Sequence, residues 1–415
     1  MAEKKIYTEA PKKKILDYNC SWPLLIIYIG YLAGMILAVS QGHILESKLT
    51  GGFTTPFLFI SFLGGVLFTA LFYNLGKILF ALIGGYRIYK FKLLGFTFLR
   101  DGKNKSSSFR FLDFAEVGMK FAPKDDDVNR NPITIFIGGY IFYLIELIVS
   151  IVIFAIFSAG KDSSAMGNVG WTMLFACIYG FVILFYEIIP LRQDSATDMF
   201  NILSTKTKED KIAFNMYHIN LKRELTGKEF IVSDFDDYNS FYKSHVLYYV
   251  YLEKLYAGDL KAAVKVLDQM TLLKKNLDET TLYLAPSEYI YIRYLIADDA
   301  SADKTYLSLK GDVKRACIRP VLLSNYRSAL FLLGNGSLFT ERRDEVKSII
   351  SEFDKKVASL EESNRVKKEK ELFLAVKDAI AKKNPSILSS EVKENTVIEE
   401  KTEEATEQEE KKEEE

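Results

Sequence analysis

The sequence predicts a mainly α-helical protein: a four-span helical membrane domain with a small cytoplasmic β-hairpin, joined to a cytoplasmic helical domain of repeat-like character. Three observations lead there. Four apolar runs of roughly bilayer length occupy the first half of the chain. Hydrophobic residues make up 49% of it yet charged residues 26%, a mixture that a wholly membrane-embedded chain does not show. Beyond residue 205 the character changes to amphipathic helical segments of soluble type. On this reading residues 1–20 form a basic cytoplasmic arm, 21–205 the membrane domain, 206–385 the helical domain and 386–415 an acidic tail.

The first run, Trp22–Val39, is short, but it has an interfacial tryptophan and lysines upstream, as a span does. A signal peptide is the competing reading, although no small-residue cleavage site follows cleanly. Gly30 and Gly34 have the spacing that lets helices approach closely. The second run, residues 57–83, carries Asn74 and Lys77, and polar groups at such depth are costly and usually functional. In the following loop, Arg87–Leu93 alternates basic and apolar residues as a strand with one buried face does. Asp101-Gly102 marks a turn, and Ser108–Phe114 is the expected returning strand. Ile133–Phe157 and Val169–Ile189 are the third and fourth runs, with Glu146 and Glu187 in them.

Charge sets the expected topology. Five lysines lie in the N-terminal arm, at 4, 5, 12, 13 and 14, and the 84–132 loop is rich in arginine and lysine. The loops at 40–56 and 158–168 hold one lysine each, Lys48 and Lys161. Positive residues stay inside, so both termini and the 84–132 loop are expected in the cytoplasm, and a bacterial plasma membrane is the expected location. Cys20, Cys177 and Cys317 show no metal or disulfide spacing and read as packing residues.

The segment Tyr73-Asn74-Leu75-Gly76-Lys77 and its continuation resemble the H-E-x-G-H helix of the site-2-type intramembrane zinc metalloproteases. In that family two histidines one turn apart bind zinc and the glutamate between them is the general base. Here those positions read Tyr73, Asn74 and Lys77. Gly138-Gly139-Tyr140 falls where relatives carry a glycine-rich helix near the metal. Tyr186-Glu187-Ile188-Ile189-Pro190, followed by Asp198-Met199-Phe200-Asn201, resembles the family's N-x-x-P…D-G segment, whose aspartate is the third zinc ligand. Asp198 is the better match and Asp194 the weaker one; the family's asparagine reads Tyr186 and its glycine Met199. The resemblance covers residues 20–205 and implies that the hairpin holds an extended substrate by edge pairing. Read from the residues alone, the hairpin equally suits a basic element resting on anionic headgroups.

One aspartate, an amide, a phenol and an ammonium do not make a zinc site, and Lys77 repels a dication. No metal and no cofactor are therefore expected; zinc belongs only to the alternative of a divergent active metallopeptidase. His43, His218 and His245 are not placed beside Asp198 by the sequence, and the last two read as surface or packed helix residues. No nucleophile elbow and no phosphate loop occurs. Lys77 lies one turn beyond Tyr73 and is expected to pair with Asp198, with Glu187 or Glu146 next; snorkelling to the interface is the alternative.

In the helical domain, Tyr248–Leu267 reads as an apolar helix, a Gly258-Asp259 turn and an amphipathic helix with Ala262 and Ala263. That resembles one tetratricopeptide-type pair, and an ordinary bundle is the alternative. Glu288–Ala297 and Tyr326–Leu333 offer further helices. The glutamate-rich tail cannot bury enough surface to order itself. The expected role is non-catalytic: binding a client transmembrane segment or extended peptide, with the bilayer as solvent and a cytoplasmic protein engaged through the helical domain. A structural anchor for that domain is another alternative. No nucleic-acid partner is expected.

Overall fold

The computed structural model describes residues 29–30, 33–34, 54–93, 96–101, 104–109, 118–159, 164–191, 197–273, 279–320, 322–334, 342 and 345–388. The basic arm, most of Trp22–Val39, Cys20, His43, Asp194 and the acidic tail lie outside them. The described residues divide into two compact units, one lying within 29–222 with 233–246, the other made of 223–232 with those described within 247–388.

Among the described residues, three helices of the first unit are long and apolar enough to cross a membrane: α1 (Thr54–Ile83), α2 (Ile133–Ala159) and α3 (Ser164–Ile188). Their polarity runs inside out. On α1 Leu63, Leu67, Leu71, Leu75 and Leu79 recur every fourth position and all face outward, while Ser61 and Thr69 are buried. On α2 Ile137, Ile141, Ile145, Ile148 and Ile156 are exposed and Glu146 and Ser150 are fully buried. An outward aliphatic face suits lipid as solvent, where small residues rather than hydrophobic contrast bring helices together. Glycines supply that closeness. A Cβ on Gly65 of α1 would lie 2.7 Å from the backbone nitrogen of Ala176 on α3, and one on Gly138 of α2 would lie 2.7 Å from the Gly76 carbonyl oxygen.

Between α1 and α2 the expected hairpin is a four-stranded antiparallel sheet: β1 (Tyr86–Leu93), β2 (Phe96–Asp101), β3 (Asn104–Phe109) and β4 (Gly118–Pro123), in the order β3-β2-β1-β4. The strand expected to return at Ser108–Phe114 is not the neighbour of β1: Ser108 and Phe109 end β3, which pairs with β2, and 110–114 lie outside the described residues. β1 pairs first with β2, because Phe96-Thr97-Phe98-Leu99 continues the two-residue alternation, and Phe91 lies opposite Phe98. Asp101 pairs with Asn104, so the turn signal at Asp101 belongs to the β2–β3 connection. β1 also pairs with β4, with a register shift between Ile88 and Lys90.

A short helix α4 (Asp198–Leu203) follows α3, then α5 (Lys208–Thr226) and α6 (Phe241–Tyr256). Within the first unit, the Tyr86 hydroxyl donates to Asn215 Oδ1 at 2.9 Å, and Asn215 donates to the carbonyls of Val128 and Arg130. These bonds tie β1 and the loop before α2 to α5.

The second unit is helical: α7 (Leu260–Leu272), α8 (Glu279–Leu295), α9 (Asp299–Ser308), α10 (Gly311–Cys317), α11 (Tyr326–Gly334), α12 (Glu345–Ala358), α13 (Asn364–Lys383) and α14 (Pro385–Leu388). The expected helix–turn–helix is present. Gly258 takes a positive φ of 77° that a side chain would strain, and the Asp259 carboxylate caps α7 by accepting from the Ala262 N–H at 3.0 Å. Helix lengths from 4 to 20 residues give no regular period.

Candidate functional site: the Lys77–Asp198 centre

Four elements of the first unit converge on Asp198. The end of α3 is folded back by Thr197, whose hydroxyl donates to the Ile189 carbonyl at 2.8 Å and accepts from the Leu191 N–H at 3.0 Å. That turn sets Asp198 at the start of α4, where its own N–H donates to Glu187 Oε2 at 2.8 Å. The Asp198 side chain is 1% exposed.

Both of its carboxylate oxygens are taken by α1. Lys77 Nζ lies 2.7 Å from Oδ1, and the Tyr73 hydroxyl donates to Oδ2. Tyr73 and Lys77 are one turn apart, so they share a face, and the ammonium also lies 4.3 Å from the centre of the Tyr73 ring. The pairing expected from the sequence is therefore found, and Lys77 does not snorkel. Glu187, the next expected partner of Lys77, instead accepts from the Asp198 backbone. Burial pushes the Asp198 carboxyl above its ordinary range, and the Lys77 ammonium opposes that shift.

α2 supplies the floor. A Cβ on Gly139 would lie 2.5 Å from Tyr73 Cε2 and 3.1 Å from Asp198 Oδ2, so only glycine lets ring and carboxylate lie against this helix. The Tyr140 hydroxyl donates to the Glu187 carbonyl at 2.7 Å. Tyr143 stacks on Tyr73 with ring centroids 4.3 Å apart. Tyr143 was not singled out by the sequence; its spacing of three from Tyr140 on a glycine-led helix was the signal available.

The remaining candidates lie elsewhere. Asn74, at the position of the family's base, turns away and donates to its own helix at the Ala70 carbonyl, 2.7 Å. Glu146 belongs to a separate buried group with Thr69 and Ser150. His218 and His245 are packed among aromatic rings: His218 Nδ1 is 3.2 Å from the Tyr89 hydroxyl, and His245 Nδ1 is 2.6 Å from the Phe241 carbonyl. Burial, with Lys120 and His245 adding to it, holds His218 down at about 3. Cys177 and Cys317 are free thiols.

Zinc does not fit this centre. Asp198 already accepts from an ammonium and a phenol, Glu187 Oε2 accepts from the Asp198 N–H, and the histidine positions of the resemblance supply no imidazole, thiolate or carboxylate. Among the described residues no three His, Cys, Asp or Glu side chains come together as a metal-binding set. What the arrangement does chemically is fix the Lys77 ammonium against the buried Asp198, with the Glu187 carboxyl on the Asp198 backbone, and clasp α1, α2, α3 and α4. No family model matches the chain, and no curated protein or solved structure matches it either.

Proposed function

We propose that this is a non-catalytic multi-pass membrane protein built on a site-2-type metalloprotease scaffold, which binds a membrane segment or extended peptide and couples it to a cytoplasmic partner. The observation that supports this reading is the double occupation of Asp198 by Lys77 and Tyr73. In the resemblance these are the positions of the third zinc ligand and the two histidines. An ammonium now holds the place of the dication, and a phenol that of an imidazole. Neither activates water for hydrolysis. The scaffold around them keeps the features that accommodate a guest: close glycine contacts between the helices, and a sheet whose outer strands are β3 and β4. Both termini and the sheet lie on the cytoplasmic side in this reading, in a bacterial plasma membrane.

Purified full-length protein is expected to carry far less than one tightly bound zinc per chain. Stoichiometric zinc that disappears on Asp198→Asn would overturn the reading in favour of an active metallopeptidase. Photocrosslinkers placed along β3, β4 and α1 in native membranes are expected to capture a transmembrane or extended segment. Capture unaffected by changes at these positions would leave a plain anchor for the helical domain. Reporter fusions after residues 48, 105, 163 and 230 test the topology, and an external signal at 105 or 230 would overturn it.

A further inference from the structure

The bundle of α1, α2 and α3 buries a second carboxyl that the Lys77–Asp198 centre does not use. Glu146 is 0% exposed and lies at the middle of the span Ile133–Phe157. Thr69 and Gly180, its neighbours on α1 and α3, also lie near the middle of theirs. Glu146 Oε1 lies 3.1 Å from the Thr69 hydroxyl and 3.0 Å from the Ser150 hydroxyl. Oε2 has no hydrogen-bond partner and presses toward Gly180, where a Cβ would come within 2.6 Å of it.

Among the described residues no cation faces this carboxyl. α1 presents the Thr69 hydroxyl. α3 presents the Ala176 carbonyl, the Cys177 thiol and Gly180, and α2 itself contributes Ser150 and Tyr143. Cys177 and Tyr143 are the titratable groups around it, and neither carries positive charge. Lys77 is committed to Asp198. An ionised carboxylate at this depth would have one oxygen bare and no counter-charge, the arrangement that an apolar interior disfavours most.

The hydroxyl of Thr69 makes the argument specific. It lies 3.1 Å from Glu146 Oε1 and also 3.1 Å from the Ala176 carbonyl oxygen. A hydroxyl has one proton, and a carbonyl oxygen only accepts. When Thr69 donates to Ala176, its contact with Glu146 is a hydrogen bond only if Glu146 carries the proton and donates it to Thr69 Oγ1. The chain Glu146 O–H to Thr69 O–H to the Ala176 carbonyl is then complete, Ser150 donates to the same Oε1, and Oε2 is left as a neutral carbonyl oxygen.

We infer that Glu146 is an intramembrane proton-binding site, occupied by its proton at neutral pH and closed by Thr69, Ser150 and Gly180. The inference rests on the three helices lying in a membrane and not on the loss of catalysis. Its ligand is the proton, because the enclosed Oε2 has no room for anything larger. Losing that proton would set an uncompensated charge between α1, α2 and α3, so proton occupancy is linked to the packing of this bundle.

Infrared spectroscopy of the full-length protein reconstituted in bilayers at pH 7 tests this. A protonated-carboxyl carbonyl band is expected, and it disappears in Glu146→Gln while Asp198→Asn leaves it. Thr69→Val is expected to move the band to higher frequency without removing it, because the acid then loses its acceptor. Absence of any such band in the unaltered protein would overturn the inference even if no variant folds. A carboxyl carbonyl region left unchanged by Glu146→Gln would overturn it as well.

Discussion

The two units each bury a cation against carboxylates, and they do it differently. In the first, Lys77 offers a compact ammonium to one oxygen of Asp198 and keeps 17% of its side chain exposed. In the second, Arg327 is fully buried and spreads a planar guanidinium over two helices at once. Its Nη1 lies 2.8 and 2.7 Å from the two oxygens of Glu369 on α13, and Nη2 lies 2.7 Å from Glu288 on α8. Tyr251, Asn325 and Ser328 fill the rest of Glu288, and Tyr256 donates to Glu369. The fork bridges helices and satisfies the carboxylates of Glu288 and Glu369, which is what a structural clasp requires, while Arg327 Nε and Asn325 Oδ1 stay unpaired. A lysine offers a point charge with few directional demands. That suits a single buried carboxylate, and is a poor choice where three helices must be set in register.

The comparison breaks first at Arg327, where the largest effect is expected. Arg327→Met leaves Glu288 and Glu369 buried without a cation, and removing one partner of such a group typically costs about 3–5 kcal/mol. Chemical unfolding followed by near-ultraviolet circular dichroism is expected to show the second unit collapsing at much lower denaturant. A loss under about 1 kcal/mol would mean that the fork is ornamental. Arg327→Lys keeps the charge but cannot bridge both carboxylates, so it is expected to fall between the two.

At Lys77 the expected effect is smaller, because only one carboxylate loses its cation and Tyr73 still serves one Asp198 oxygen. Lys77→Met is expected to lower the amount of folded protein in membranes, and Lys77→Met with Asp198→Asn to recover much of it. The coupling between the two changes should be about 1–3 kcal/mol, the range for residues in contact. Additive losses would show that the pair is only a neighbourly contact, and the electrostatic replacement of a metal would then have no basis.

These two centres were unequally legible in the sequence. Lys77 and Asp198 stood out because a lysine in an apolar run and an aspartate after a prolyl turn are conspicuous, and the resemblance put both on one centre. The three spans, the strand at β1 and the Gly258 turn were legible from period and turn chemistry. Arg327 was not. It sits in a segment whose arginine resembles any surface arginine, and its partners lie 39 and 42 residues away, so only tertiary packing reveals them. The Glu146 group was visible as a carboxyl in a span, but its separation from Lys77 depends on which face each helix turns inward. The sheet was read as a hairpin because the first turn signal was assigned to β1 and not to the strand after it.

His218 sharpens the comparison from the opposite side, as a buried group kept neutral. Its pKa in the folded chain lies at about 3, below its ordinary value of 6.5. The unfolded chain therefore binds more protons between those values, and stability falls as pH drops below 6.5 toward 3. One pH unit below 6.5 should cost about 1.4 kcal/mol from this group. His218→Gln keeps an acceptor for the Tyr89 hydroxyl and removes the titration, so its loss of stability between pH 7 and 5.5 should be shallower. Parallel pH profiles for the two proteins would show that His218 is not the acid-sensitive group.

The smallest expected effect is at Asn74, and it separates a retained scaffold from a retained site. In the resemblance this position holds the general base, so a surviving chemical role would make its side chain indispensable. In the structure the amide instead donates to the Ala70 carbonyl one turn earlier on the same helix, at 2.7 Å. That carbonyl also belongs to the backbone ladder of α1, so deleting the side-chain bond strands no buried group, and a net hydrogen bond of this kind contributes about 0.5–1.5 kcal/mol at most. A leucine returns part of that through contact with lipid or neighbouring helices. Asn74→Leu is therefore expected to accumulate in membranes to nearly the level of the unaltered chain and to be captured with the same segments in the crosslinking experiment. Lys77→Met, one turn away, should not. A severe loss of client capture in Asn74→Leu at normal abundance would show that this position contacts the client, and that the guest enters along α1 beside the clasp.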